Sequence, residues 1–210
     1  MRRFFVIILL SSFLQASFAQ DSTTNNYGKE PKATFEIKIN GKKYLVKENE
    51  ELKLDTTFTK PSISIKLSDY RAFINDAVSF QYPRYLSFAY EEDEGYKNWT
   101  LNGNDVVVLI FEIDGYISTE SFIEEMCSKF GSENCKIDSV NRKLGAKNYE
   151  TKQLKVSIAG QNLNYDFYAI NLDDDKSRFI VFQDLLEENG NGTKEFSAIF
   201  KIISSSIILK

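Results

Sequence analysis

The sequence predicts an α+β fold, a central antiparallel sheet with helices on both faces, preceded by an N-terminal strand segment. Three observations carry this prediction. Residues 106–111, VVVLIF, are apolar without alternation, as in a strand covered on both faces. Runs of period-two alternation, separated by turn residues, recur between residues 34 and 185. Two further stretches, 119–130 and 194–208, place their apolar residues at helical spacing.

Taken in order, Phe35, Ile37 and Ile39 alternate up to Asn40-Gly41, a pair that accepts the positive φ of a tight turn, and Tyr44-Leu45-Val46 begins the return strand. Pro61 precedes SISIKL, in which Ile63, Ile65 and Leu67 face one way. The pattern leaves open whether these strands form a small sheet of their own or extend the main one. Phe80 and Tyr82 alternate with polar neighbours, Tyr82-Pro83-Arg84 breaks the strand, and Leu86, Phe88 and Tyr90 restart it. Asn102-Gly103-Asn104 then marks a hairpin leading into the apolar run.

Ser118 or Thr119 caps the first predicted helix, with Glu120 well placed in its first turn. Phe122, Ile123, Met126 and Phe130 share one face, and Gly131 ends the helix. Strands follow at 136–143, 149–158, 163–172 and 178–185, with Ala159-Gly160-Gln161-Asn162 as a hairpin link and Asp173-Asp174-Asp175 as a polar turn. The last helix, about 194–208, gathers Phe196, Ile199, Phe200, Ile203 and Ile207 on a wide apolar face.

A length of 210 residues suits one ordinary domain with a sizeable core. Residues 1–19 read as a secretory signal peptide: Met1-Arg2-Arg3, an apolar stretch to Leu14, and small residues around Ser17-Phe18-Ala19. The apolar stretch falls short of the roughly 20 residues a membrane-spanning helix needs, so an anchor is the less favoured reading. Residues 20–33 read as a flexible leader, 34–70 as the N-terminal strand segment and 71–210 as the main domain. The mature chain is expected to be exported, periplasmic or secreted, with no transmembrane segment.

Removing Arg2 and Arg3 leaves 24 basic against 30 acidic residues, a net charge of −6. An acidic surface makes nucleic acid an unsuitable partner. The chain has no histidine, which excludes Ser-His-Asp and Cys-His catalysis and histidine-based metal sites. No cofactor motif is present. In an exported chain, Cys127 and Cys135 read as a disulfide in preference to a metal pair or a nucleophile.

Tyr90, Tyr96 and Trp99 flank the acidic run Glu91-Glu92-Asp93-Glu94, which can be read as a cation-binding or basic-partner loop, and together with Tyr85 they form the candidate partner-binding surface. The plainer reading of the acidic run is a solvated hairpin loop. Asp173, Asp174 and Asp175 lack the spacing of a calcium loop and read as a turn. Asn98-Trp99-Thr100 and Asn191-Gly192-Thr193 match the glycosylation pattern and are taken as unmodified.

The order VSFQYPRYLSFAY, NWTLNG, VVVLIF, STESFIEEMCSKFG, LGAKNYETKQLKVSIAGQNLNYDFYAI, SRFIVFQD and a closing helix resembles the PsbP/Mog1/DcrB-like superfamily, over roughly residues 77–210. That resemblance implies an α/β/α sandwich and a mostly noncatalytic accessory or binding role, with no functional residue to carry over. The expected function is therefore an exported noncatalytic accessory or binding protein of the cell envelope, with an unknown protein or small molecule as partner. The alternatives are a histidine-free, carboxylate-dependent hydrolase and a carrier of a small apolar ligand.

Overall fold

The computed structural model describes residues 28–172 and 175–210. The N-terminal hairpin forms as its turn residues dictate: β1 (Thr34–Ile39) and β2 (Lys42–Lys47) pair antiparallel around Asn40 and Gly41, both at positive φ. A third strand, β3 (Ile63–Leu67), pairs with the other edge of β1, giving a separate small sheet of order β2-β1-β3.

The next strands, β4 (Tyr70–Ile74) and β5 (Val78–Pro83), pair with each other in a second three-stranded sheet. It is completed by β13 (Ile208–Leu209) near the end of the chain. The main sheet contains β6 (Ser87–Asp93), β7 (Tyr96–Asn102), β8 (Val106–Asp114), β9 (Cys135–Leu144), β10 (Lys147–Ile158), β11 (Gln161–Leu172) and β12 (Lys176–Leu185). Its order is β6-β7-β8-β12-β11-β10-β9, antiparallel at every pairing, so the apolar run on β8 lies well inside the sheet.

Helix α1 (Thr119–Phe130) starts where Ser118 Oγ accepts the Ser121 amide, and Gly131 follows its last turn at φ 85°. Helix α2 (Lys194–Ser206) is capped by Thr193, whose hydroxyl accepts the Phe196 amide. The two faces of β8 supply two cores. Val106, Val108 and Ile110 belong to the cluster that holds Ile199 and Ile203 of α2; Phe111 and Ile113 belong to the cluster built around Phe122, Ile123 and Met126 of α1.

The expected α/β/α sandwich with helices on both faces is not the fold. Of the described residues 54% are strand and 16% helix, with two α-helices among them, so the architecture is β-rich and mostly antiparallel. The physical reason lies in residues 70–83. Phe73, Val78, Phe80 and Tyr82 enter the same core as Ile199 and Ile203, so a strand layer shares that face with α2 where a helical layer was expected. Phe73 stacks on Phe80 at 5.0 Å and meets Trp99 of the main sheet edge-on at 5.8 Å. On the other face α1 is a single helix of 12 residues under a sheet whose strands run to 12 residues.

The expected disulfide is also absent. Cys127 and Cys135 are both free and approach to 2.7 Å without being joined, beyond the ~2.05 Å of a disulfide bond. Cys127 is held in the α1 core and Cys135 in the β9–β10 ladder opposite Val156, so each position is fixed by its own element without a bridge. Among the described residues no helix is long and apolar enough to cross a membrane.

Candidate functional site

The four aromatic residues read from the sequence as a partner surface do not share one face. Tyr85 lies in the turn after β5 with 61% of its surface exposed, whereas Trp99 on β7 is only 3% exposed. Tyr90 pairs with Trp99 across the β6–β7 ladder, its ring 5.4 Å away, and its hydroxyl donates to Glu92 at 2.6 Å. Tyr96 turns to the opposite face and packs on Phe111 at 6.2 Å. The acidic run continues β6 as far as Asp93, and the turn itself is Glu94-Gly95, with Gly95 at φ 76°. No cluster of three or more metal-ligating acidic or thiol side chains occurs among the described residues. Asp173 and Asp174 lie outside the described residues.

The structure instead forms a cleft where the small N-terminal sheet meets β4 and β6. Its volume is about 270 Å³, and it is lined by Lys29 to Lys32, Thr34, Lys47, Ala72, Phe73, Ile74 and Phe88. Each wall has a local cause. Thr34 and Lys47 are opposite partners at the open end of the β1–β2 hairpin, so they arrive together. Phe73 is buried because β4 presents it to the main core, and it forms the apolar floor.

The strap formed by residues 28–33 is pinned at three points. Gly28 lies against Tyr90 so closely that an added Cβ would stand 2.7 Å from the ring, glycine being the residue that admits such an approach. Glu30 forms an ion pair with Arg71 of β4, and the carbonyl of Ala33 accepts the Glu48 amide at 2.8 Å. Since Glu30 is committed to Arg71, the three lysines of the cleft lack a carboxylate partner among the described residues. The lining therefore combines apolar side chains with three lysines that form no ion pair among the described residues. Composition alone did not reveal this, because residues 20–33 read as a polar leader. The usable signal was Pro31 set between Lys29 and Lys32 just before a strand.

A second polar group lies under the α2 face of β10–β12. Gln153 donates to Asp166 at 2.8 Å, Asn164 donates to the same carboxylate at 3.4 Å, and Arg142 stands 3.8 Å from its other oxygen. Asp184, on the neighbouring strand, accepts from the Thr193 hydroxyl at 2.7 Å and from the Thr193 amide. Burial, the dominant influence, holds the Asp184 carboxyl above the usual range against the Thr193 hydrogen bonds, and the charges of Asp166 and Asp105 push it further up. With Asp166 and Asp184 exposed by 3% and 2%, these carboxylates are interior groups and do not flank an open cleft as glycoside hydrolysis requires.

No family model matches the chain, and no curated protein matches it. The resemblance to the PsbP/Mog1/DcrB-like superfamily thus rests on the quoted residues alone.

Proposed function

We propose that the protein is an exported, noncatalytic accessory or binding protein of the cell envelope and that it holds a small ligand in the cleft between the N-terminal sheet and β4. Export rests on the signal pattern of residues 1–19, which lie outside the described residues. Binding rests on the cleft itself, because a concave apolar floor with a few polar groups at its rim is the usual form of a ligand site. The lack of histidine in the chain fits a binding role better than acid–base chemistry near neutral pH.

The test is to recover the chain from its native envelope, sequence its N-terminus, and identify by mass spectrometry any small molecule released on denaturation. A chain beginning at Gln20, carrying a compound that a folded Thr34→Trp variant lacks, supports the reading. A chain that retains residues 1–19 overturns export. An empty wild-type chain, or a Thr34→Trp variant that keeps the compound, overturns binding in the cleft.

A further inference from the structure

Resting on the cleft as the ligand site, we infer that its occupant is an anionic amphiphile: a compact apolar body on Phe73, Ile74 and Phe88, with a carboxylate or phosphate head held among Lys29, Lys32 and Lys47. The charge argument comes first. The protein as a whole is acidic, yet this concavity is lined by three lysines and a single carboxylate, Glu30, which is paired with Arg71. The Glu50 carboxylate near Lys47 accepts its backbone amide and, among the described residues, forms no ion pair with a cleft lysine. Like charges gathered around a concavity repel one another and concentrate counter-ions there, so an anion relieves a local repulsion while a cation adds to it.

Size and polarity narrow the class further. At about 270 Å³ the cleft lies just under the roughly 300–1,000 Å³ usual for small-molecule sites, which suits a short acyl chain or a single substituted ring. Phe73 is already buried behind the cleft, whereas Ile74 leaves 55% of its surface exposed and Phe88 is half-buried, so these two supply the apolar area that an occupant would cover. Lysine ammoniums on flexible stems bind carboxylate or phosphate as point charges and impose no planar fork, so either head is accepted.

The cleft has its own reporter. Trp99, the one tryptophan of the chain, meets Phe73 edge-on from the other side, so an occupant pressing on Phe73 alters the indole environment. Purified mature protein is titrated with octanoate, octyl phosphate, octanol and octylammonium while Trp99 emission is followed, first at low salt and then at high salt. Octanoate or octyl phosphate should give a saturable one-site change, weakened severalfold by salt, and weakened about tenfold or more in a Lys32→Glu, Lys47→Glu variant. Octylammonium should give no saturation. A preference for octyl phosphate over octanoate identifies the head as phosphate, and the reverse identifies it as carboxylate.

Octanol binding as tightly as octanoate, or octanoate affinity unmoved by the double charge reversal, overturns the anionic head while leaving the cleft as a ligand site. Failure of all four probes, together with a wild-type chain recovered empty from its native envelope, overturns both. Unchanged urea midpoints for the charge-reversal variant exclude unfolding as the cause of lost binding.

Discussion

Glu112 on β8 and Arg178 on β12 face each other across the central strand pair, with the guanidinium Nε donating to the carboxylate at 2.9 Å. Lys176 donates to the other oxygen at 2.6 Å, and Lys97 stands 3.8 Å away. One buried carboxylate is therefore matched by three cations. Burial alone raises its pKa, but the hydrogen bonds and charges of Lys176 and Arg178 outweigh that effect and hold it below the usual range.

The sign of the resulting pH dependence follows. A carboxyl whose folded pKa lies below its unfolded value of 4.5 contributes stability above pH 4.5, and that contribution fades as pH falls through the lower folded value. Glu112→Gln should flatten the acid limb of the stability curve. It should cost about 2 kcal/mol at neutral pH, below the range for a fully buried pair because Lys176 is one-third exposed. Urea midpoints measured from pH 7 down to pH 3 check both points.

Thr193 joins two tasks in one hydroxyl, capping α2 at the Phe196 amide and donating to buried Asp184. Thr193→Ala should cost about 2 to 3 kcal/mol, the loss of a cap plus the loss of a hydrogen bond to a buried carboxylate. Thr193→Ser should recover most of it. Equal urea midpoints for Thr193→Ala and wild type would contradict the assignment.

Trp99 packs between Phe73 and Tyr90 in the core, so Trp99→Ala should behave as a cavity mutation costing about 3 to 5 kcal/mol. Acrylamide should quench the native indole poorly and the unfolded one well. By contrast, Tyr85→Ala should change the urea midpoint far less, because the ring is mostly exposed.

Cys127 is buried, and its thiol is pushed up to about 12 by desolvation and by the neighbouring Cys135. Iodoacetamide at pH 8 should therefore label the native protein at Cys135 first and leave Cys127 largely unmodified. After unfolding in urea without reductant, mass spectrometry should find two labels per chain. A persistent unlabelled pair would contradict free thiols.

Where turn chemistry and periodicity agree, the sequence reading and the structure coincide. Asn40-Gly41 and Ala159-Gly160 close hairpins at positive φ, and Ser118 and Gly131 bracket α1. The misreadings were of layering. Phe80 and Tyr82 carry the same alternation whether β5 joins the main sheet or stacks upon it, and period-two patterning cannot tell these apart. The disulfide was read from the close spacing of two cysteines in a chain expected to be exported, and neither says how α1 and β9 orient the two thiols. The cleft was hidden for a similar reason. Lys29, Lys32 and Lys47 become neighbours only when the β1–β2 hairpin folds beside β4, and the Arg71–Glu30 pair that takes up the cleft's one carboxylate joins residues 41 positions apart.

The strand order carries a consequence for how this chain reaches its native state. Within the main sheet, β6-β7-β8 and β9-β10-β11-β12 are two meanders, each built by neighbouring strands that find one another across short turns. Only the β8–β12 pairing is distant, with Phe111 opposite Phe179 and Ile110 opposite Ile180. Local hairpins close in microseconds, while a pairing that spans more than sixty residues pays loop-closure entropy before any contact rewards it. Within the main sheet, the zipping of this seam is accordingly expected to be slower than the closure of either meander. The ionic contacts of Glu112 with Arg178 and Lys176 cross this seam, so substitutions there are expected to change the folding rate if the meeting of the two meanders limits it.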